Sequence, residues 1–181
     1  VQVMLGEEKT PFCQLSYFEE DYKTSISSLG SISQLTDKLN EIVLNKFHSL
    51  NYIYLVKISG KMKEVGVRSI KKQNPPYKTL EEVSKVDQYF YNYNDIEGTI
   101  IGVYCPIFMK NINANGWHFH YISSDHSKGG HLVSLKIDTD IIVKFDLTSN
   151  FSVQCPLNKE YQEMNFDIDL KEDIKKVEQP K

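Results

Sequence analysis

Cysteine is scarce in this chain, with three in 181 residues at positions 13, 105 and 155. The number is odd, the spacing is wide and no C-x-x-C occurs, which excludes a disulfide framework. Free thiols, buried or partly buried, in a reducing cytoplasmic compartment are the expectation. Long apolar runs are also missing. Nothing approaches the roughly 18 residues of a membrane-spanning helix, and no basic segment followed by an apolar one opens the chain, so neither a span nor a signal peptide is expected. Val1 rather than methionine stands first, as in a processed or trimmed product. Positive charge is sparse too. The net charge is −3, the pI is about 6.0, and basic pairs such as Lys71-Lys72 are too small for a nucleic-acid footprint. No internal repeat or low-complexity segment stands out.

What is present suits a globular protein: 40% hydrophobic and 12% aromatic residues, enough for one domain or two small subdomains sharing a core. The clearest helix covers residues 31–48. Ser31 stands at its N-cap with Gln34 in the capping-box position, and Leu35, Leu39, Ile42, Val43 and Phe47 form one apolar stripe. Strand patterns cover residues 1–5, 12–18, 52–58, 62–70, 89–93, 98–104, 141–145 and 151–153, with a polar loop over 21–30. Ser59-Gly60 reads as the turn of a hairpin, residues 80–86 as one or two helical turns, and the charged tail carries a weak helical pattern near Ile174 and Val177. The expected class is α+β, β-dominated, with mixed or antiparallel sheets, a barrel-like C-terminal half and one prominent helix. The expected division is an N-terminal β/α part over 1–60 and a C-terminal β-rich, metal-binding part over 61–181, packed as one compact unit.

Histidine is concentrated in one place. Three of the five lie within Gly116-Trp117-His118-Phe119-His120-Tyr121-Ile122 and Gly129-Gly130-His131. His118 and His120 are two apart, which puts both imidazoles on one face of a strand. If Gly129-Gly130 turns the chain, His131 returns beside them in a hairpin. Three neutral imidazoles on a strand pair suit Zn²⁺ or a similar divalent ion with coordination positions left open. A chance H-x-H pair that binds no metal is the competing reading. His48, at the end of the helical pattern, and His126, in a polar turn, read as surface or capping residues. Asp125 either closes that turn or accepts a bond from a second ring nitrogen of a histidine.

These residues fall into a larger pattern. Gly98-Thr99-Ile100-Ile101-Gly102, the histidine stretch, Asp125 and Gly129-Gly130-His131 together resemble the α-acetolactate decarboxylases. The resemblance extends upstream through Thr10-Pro11-Phe12 and from Val67-Arg68 to Gln73-Asn74-Pro75-Pro76-Tyr77, and downstream through Cys155-Pro156 and Asp173-Ile174 to Glu178. It implies a zinc-dependent carboxy-lyase of the acetoin and butanediol pathway, turning (S)-2-acetolactate into acetoin and CO₂ without oxidation. It also implies roles for particular residues: His118, His120 and His131 on the zinc, Arg68 and Glu178 in the active site, and Pro75-Pro76 stiffening a loop near Arg68. The substrate is a small molecule, no nucleic acid or membrane is involved, and a homodimer is compatible. Two departures stand out. The family's Asp-Gly-Glu stretch, whose glutamate lies at the metal, precedes the point matched by Val1 and has no counterpart here. His126 and Trp117 replace an arginine and a tyrosine or phenylalanine, at positions that are not ligands.

The chemistry fits those residue types. Loss of CO₂ from acetolactate leaves an enediolate, and a metal held by neutral ligands keeps its full charge to stabilise it. Arginine offers a planar fork for a carboxylate, and a glutamate can return the proton. Two other readings remain open from the residues: a metal-binding relative with weak or no turnover that holds a small keto or hydroxy acid, and a cupin-like metal enzyme.

Overall fold

The structure is a computed structural model that describes residues 1, 3, 5, 6, 10, 12–74, 77–110 and 112–165. Six strands form one antiparallel sheet: β1 (Tyr22–Ile26), β2 (Ile53–Ile70), β3 (Gln88–Cys105), β4 (Gly116–Ser123), β5 (Gly129–Lys136) and β6 (Ile141–Thr148), in the order β1-β6-β2-β3-β4-β5. A further pairing of β5 with β2 closes β2, β3, β4 and β5 into a ring. The β-dominated class, the barrel-like closure and the single prominent helix are therefore as expected, with every pairing antiparallel. That helix is α1 (Ile32–Phe47); α2 (Leu80–Val86) and α3 (Lys159–Gln162) are short.

The long strands explain how one sheet makes two layers. β2 and β3 pair in one unbroken register from Tyr54↔Tyr104 to Ile70↔Gln88. Over the first half of β2 the even residues Tyr54, Val56, Ile58 and Met62 are buried. Over the second half the odd residues Val65 and Val67 are buried. The buried side changes at Lys63–Glu64, opposite Asp95, which takes a left-handed φ of 50° and is held by Lys63 at 3.0 Å. A strand whose apolar face passes from one side to the other can wrap a core, so its first half pairs with β6 and its second with β5. Leu35, Leu39 and Val43 of α1 complete that core with Phe119 and Tyr121 of β4, Leu132 and Leu135 of β5, and Val143 and Phe145 of β6.

Several expected elements differ. No turn occurs at Ser59-Gly60: β2 runs straight through it, so the 52–58 and 62–70 patterns are one strand and the expected hairpin is absent. Gly60 instead lies across from Gly98 and tight against Ile141, where a Cβ would stand 3.0 Å from Cγ1 of that residue. The glycine provides close approach rather than reversal. Residues 89–93 and 98–104 likewise merge into β3. The polar segment 21–30 contains edge strand β1, whose outward Lys23 and Ser25 mask the alternation of Tyr22, Thr24 and Ile26. Residues 12–18 and 151–153 are irregular and mostly exposed, as are the described residues among 1–5. The chain reaches the sheet at Phe18–Glu20: Lys57 Nζ lies 4.4 Å from the Phe18 ring centroid, the Glu19 N–H donates to Asp146 at 3.1 Å, and Glu20 pairs with Lys144 at 2.7 Å. The helical pattern near Ile174 and Val177 lies outside the described residues.

The α1 boundaries follow the capping logic with one variation. Ser31 Oγ accepts from the Gln34 N–H, but the Gln34 side chain reaches back to the Gly30 N–H at 2.6 Å rather than to Ser31. At the other end His48 caps the helix in the left-handed conformation, φ 62°, its N–H donating to the Leu44 carbonyl. A side chain is strained there and glycine is not. His48→Gly is therefore expected to raise stability by about 0.5–1 kcal/mol, read as a higher midpoint in thermal or urea unfolding; an unchanged or lower midpoint would contradict the capping assignment.

Candidate metal centre

β4 alternates strictly. Trp117, Phe119 and Tyr121 face the core, so His118 and His120 face the other way. The inward side is anchored: Trp117 Nε1 donates to Asn40 Oδ1 of α1 at 2.9 Å, and the Trp117 ring stacks on Phe119 at 5.7 Å with 6° between planes. The large indole at this position thus ties helix to strand behind the histidines.

The reversal between β4 and β5 differs from the expected glycine turn. The chain turns at Ser124–Lys128, with His126 at a left-handed φ of 58°. Asp125 closes it, its carboxylate accepting from the Ser127 N–H at 3.0 Å and the Ser127 hydroxyl at 2.8 Å as well as from Ser123. The Ser123 hydroxyl, followed by the Ser127 donors, holds the Asp125 carboxyl well below the usual carboxylate range. Of its two readings, turn closure is the observed one. Gly129 and Gly130 already belong to β5, opposite Ile122 and Tyr121. Gly130 has a φ of 153°, and a Cβ there would sit 2.6 Å from the Arg68 carbonyl oxygen. Its bare backbone lets β5 pass close to β2 just before His131.

The register then gathers the polar residues. His131 lies directly across from His120 on β4 and from Arg68 on β2. Antiparallel partners share a face, so Arg68, His131 and His120 form one row across three strands, flanked by Phe90 beyond Arg68 and Ile101 beyond His120. A bulge in β5 makes this possible: Gly66 pairs with Ser134 but Val67 with Leu132, which passes over Val133. Leu135 and Leu132, three apart, are both buried, and His131 stays on the opposite side from Leu132.

The three imidazoles converge. One ring nitrogen from each of His118, His120 and His131 lies within 4.8 Å of the others, and Nε2 of His118 is 3.0 Å from Nε2 of His120. Ring centroids are separated by 5.1, 4.7 and 5.4 Å. Tetrahedral zinc with bonds of 2.0–2.1 Å holds its ligand atoms about 3.4 Å apart, so this donor set fits a zinc-sized divalent ion. His118 and His131 are half-buried and His120 is exposed, which leaves an open side. Among the described residues no other group of three or more histidine, cysteine or carboxylate side chains is drawn together in this way.

The environment is apolar beneath and cationic beside the histidines. Burial, aided by Asp125, pushes the Tyr121 phenol up to about 12, so Tyr121 is a neutral donor, bonded to the Glu97 carbonyl at 3.2 Å. Arg68 is buried at 8% exposure, and its Nη1 donates to Gln88 Oε1 at 3.1 Å. Glu178, and Pro75 and Pro76, lie outside the described residues. The cysteines are free, but only Cys105 is buried, with its thiol pushed up by that burial; Cys13 and Cys155 are exposed.

Comparison with known proteins gives the family. The family model described as alpha-acetolactate decarboxylase matches residues 1–168. The chain belongs to the alpha-acetolactate decarboxylase family. It is 36% identical to the alpha-acetolactate decarboxylase of Brevibacillus brevis over 148 residues, covering 82% of this chain and 50% of that protein. It is 32% identical to that of Methanosarcina mazei over 173 residues, covering 96% and 58%. The crystal structure of the decarboxylase from Bacillus subtilis strain 168 superimposes with a TM-score of 0.86 at 26% identity, over 94% of this chain and 70% of that one. The chain thus spans about half to three fifths of the length of these curated relatives.

In this family member, His120→Ala is expected to weaken zinc binding more than about hundredfold, read by metal analysis of the dialysed protein, while His48→Gly leaves it unchanged. One zinc per chain retained by the His120 variant would remove that residue from the ligand set.

Proposed function

We propose that this face carries acetolactate decarboxylase activity, releasing CO₂ from (S)-2-acetolactate to give acetoin, with zinc held by His118, His120 and His131. The observation that carries the proposal is the convergence of three imidazole donors within 4.8 Å beside a buried arginine, in a chain of this family. Zinc, when bound, supplies Lewis acidity toward the negative charge that builds on the substrate's oxygens.

The chain's own residues do the rest. Arg68 binds the substrate through its carboxylate or an adjacent oxygen, using two parallel N–H donors. Its burial matters, because a cation in a poorly hydrated site interacts more strongly with a developing oxyanion than one in water. Ile101 and Val103 lie across from His120 and His118 on the same face of the sheet. They offer apolar contact to the substrate's methyl groups and exclude water from one side. Protonation of the carbon that has lost CO₂ requires an acid, and Glu178 is assigned that role on the resemblance of the segment around it. The free thiols suit a cytoplasmic setting.

The test is acetoin formation from racemic acetolactate by the purified, zinc-loaded chain. Zinc uptake without acetoin would overturn the proposal in favour of a binding protein without turnover. Arg68→Lys is expected to keep the zinc but lower turnover about hundredfold, since lysine cannot present two parallel donors; equal turnover would take the guanidinium out of the reaction.

A further inference from the structure

The bulge in β5 does more than bring two leucines into the core. If the pairings Arg68↔His131 and Val67↔Leu132 ran on without it, Gly66 would face Val133. The bulge passes over Val133 and puts Ser134 there instead. A hydroxyl thus takes the place of an isopropyl group one step from the histidine row. Re-aiming a side chain is what bulges beside functional sites do.

The registers fix the face that Ser134 occupies. Gly66 and Arg68 are two apart on β2 and share a face. Their antiparallel partners share it with them: Ser134 and Asn92 with Gly66, His131 with Arg68. β5 runs antiparallel to β4, so the step from His131 to Ser134 leads the same way as the step from His120 back to His118. Ser134 therefore lies on the His118 side of the His120–His131 row, about 7 Å along the sheet. Gly66 is beside it on β2 and Asn92 is one strand further, on β3.

Gly66 lets those two side chains approach each other. It is buried although Ser134 and Asn92 are exposed. A Cβ there would run into Ser134 Oγ and stand 2.9 Å from Asn92 Oδ1, so both side chains lean over its bare backbone. A glycine inside a strand marks a close approach of this kind. Among the described residues, no other group hydrogen-bonds the Ser134 hydroxyl or the Asn92 amide.

We propose that Ser134 and Asn92 form a subsite for the substrate's carboxylate, donating to it from either side of Gly66. The inference rests on the decarboxylase reading of the histidine face. A serine O–H and an asparagine NH₂, presented by a half-turn of the amide, are donors without charge. That suits a carboxylate that must leave as CO₂. As the C–C bond breaks, its electron pair passes to the adjoining carbon and the carboxylate becomes neutral. A full cation on that group would favour the bound substrate over the transition state, whereas neutral donors orient it at less cost to the barrier.

2-Hydroxyisobutyrate carries the substrate's hydroxyl and carboxylate, and 2-methylpropane-1,2-diol has an alcohol in place of the carboxylate. By ligand-observed NMR with the zinc-loaded chain, the acid is expected to bind about tenfold more weakly to Ser134→Ala and to Asn92→Ala. It is expected to bind more weakly still to Asn92→Asp, where like charges meet. The diol binds all four proteins alike, zinc content is unchanged, and the loss with acetolactate falls in KM. Wild-type affinity for the acid in any of the three variants overturns the proposal. So does an equal loss for acid and diol, or no binding of the acid to the unaltered chain. If the unaltered chain binds the acid but forms no acetoin, the decarboxylase reading fails, while the binding comparison still decides the subsite.

Discussion

Cross-strand register is the constraint on which this molecule depends. His120, His131 and Arg68 come from three strands and from sequence positions more than fifty residues apart at the extremes, yet each lies directly opposite the next. That arrangement exists because β5 pairs with β4 on one side and with β2 on the other. A slip of one residue in either pairing would send His131 to the core side and Leu132 to the polar side. The cost of burying an imidazole and exposing a leucine opposes such a slip. The same apolar packing that stabilises the fold therefore fixes the geometry of the polar face.

Two local devices serve that register. The bulge over Val133 lets Leu132 and Leu135 both enter the core while His131 stays outside it. Gly130 lets the backbone of β5 come within reach of the Arg68 carbonyl. On the inner side, Trp117 joins β4 to α1 through Asn40 and stacks on Phe119, so the strand bearing two histidines is braced along its length. A brace of this kind lowers the reorganisation needed when an ion or substrate binds.

Much of this was legible in the residues. The H-x-H spacing put His118 and His120 on one face, and the β4–β5 connection brought His131 back to them. The stripe Leu35, Leu39, Ile42, Val43 and Phe47 marked α1 because a surface helix must present apolar residues every three to four positions. Other features were obscured for identifiable reasons. β1 is an edge strand with a polar outer side, so its alternation is diluted by lysine and serine. Ser59-Gly60 resembles a turn in composition, but its glycine answers a close approach by Ile141 that only the packed sheet reveals. Residues 12–18 alternate like a strand and are irregular, because alternation alone supplies no partner for the backbone hydrogen bonds. Gln88 carried no signal of its own, although the solitary arginine it touches was visible in the composition.

The sequence by itself determined the β-rich class, the one long helix, the family and the cluster of imidazoles, because periodicity and short spacings act over a few residues and need no knowledge of distant partners. Only the tertiary structure decided that β2 and β3 are single long strands, that β5 closes a ring against β2, and that Arg68 lies across from His131. Those facts come from pairings between segments tens of residues apart. Their energies depend on how whole surfaces fit together, which no local pattern encodes.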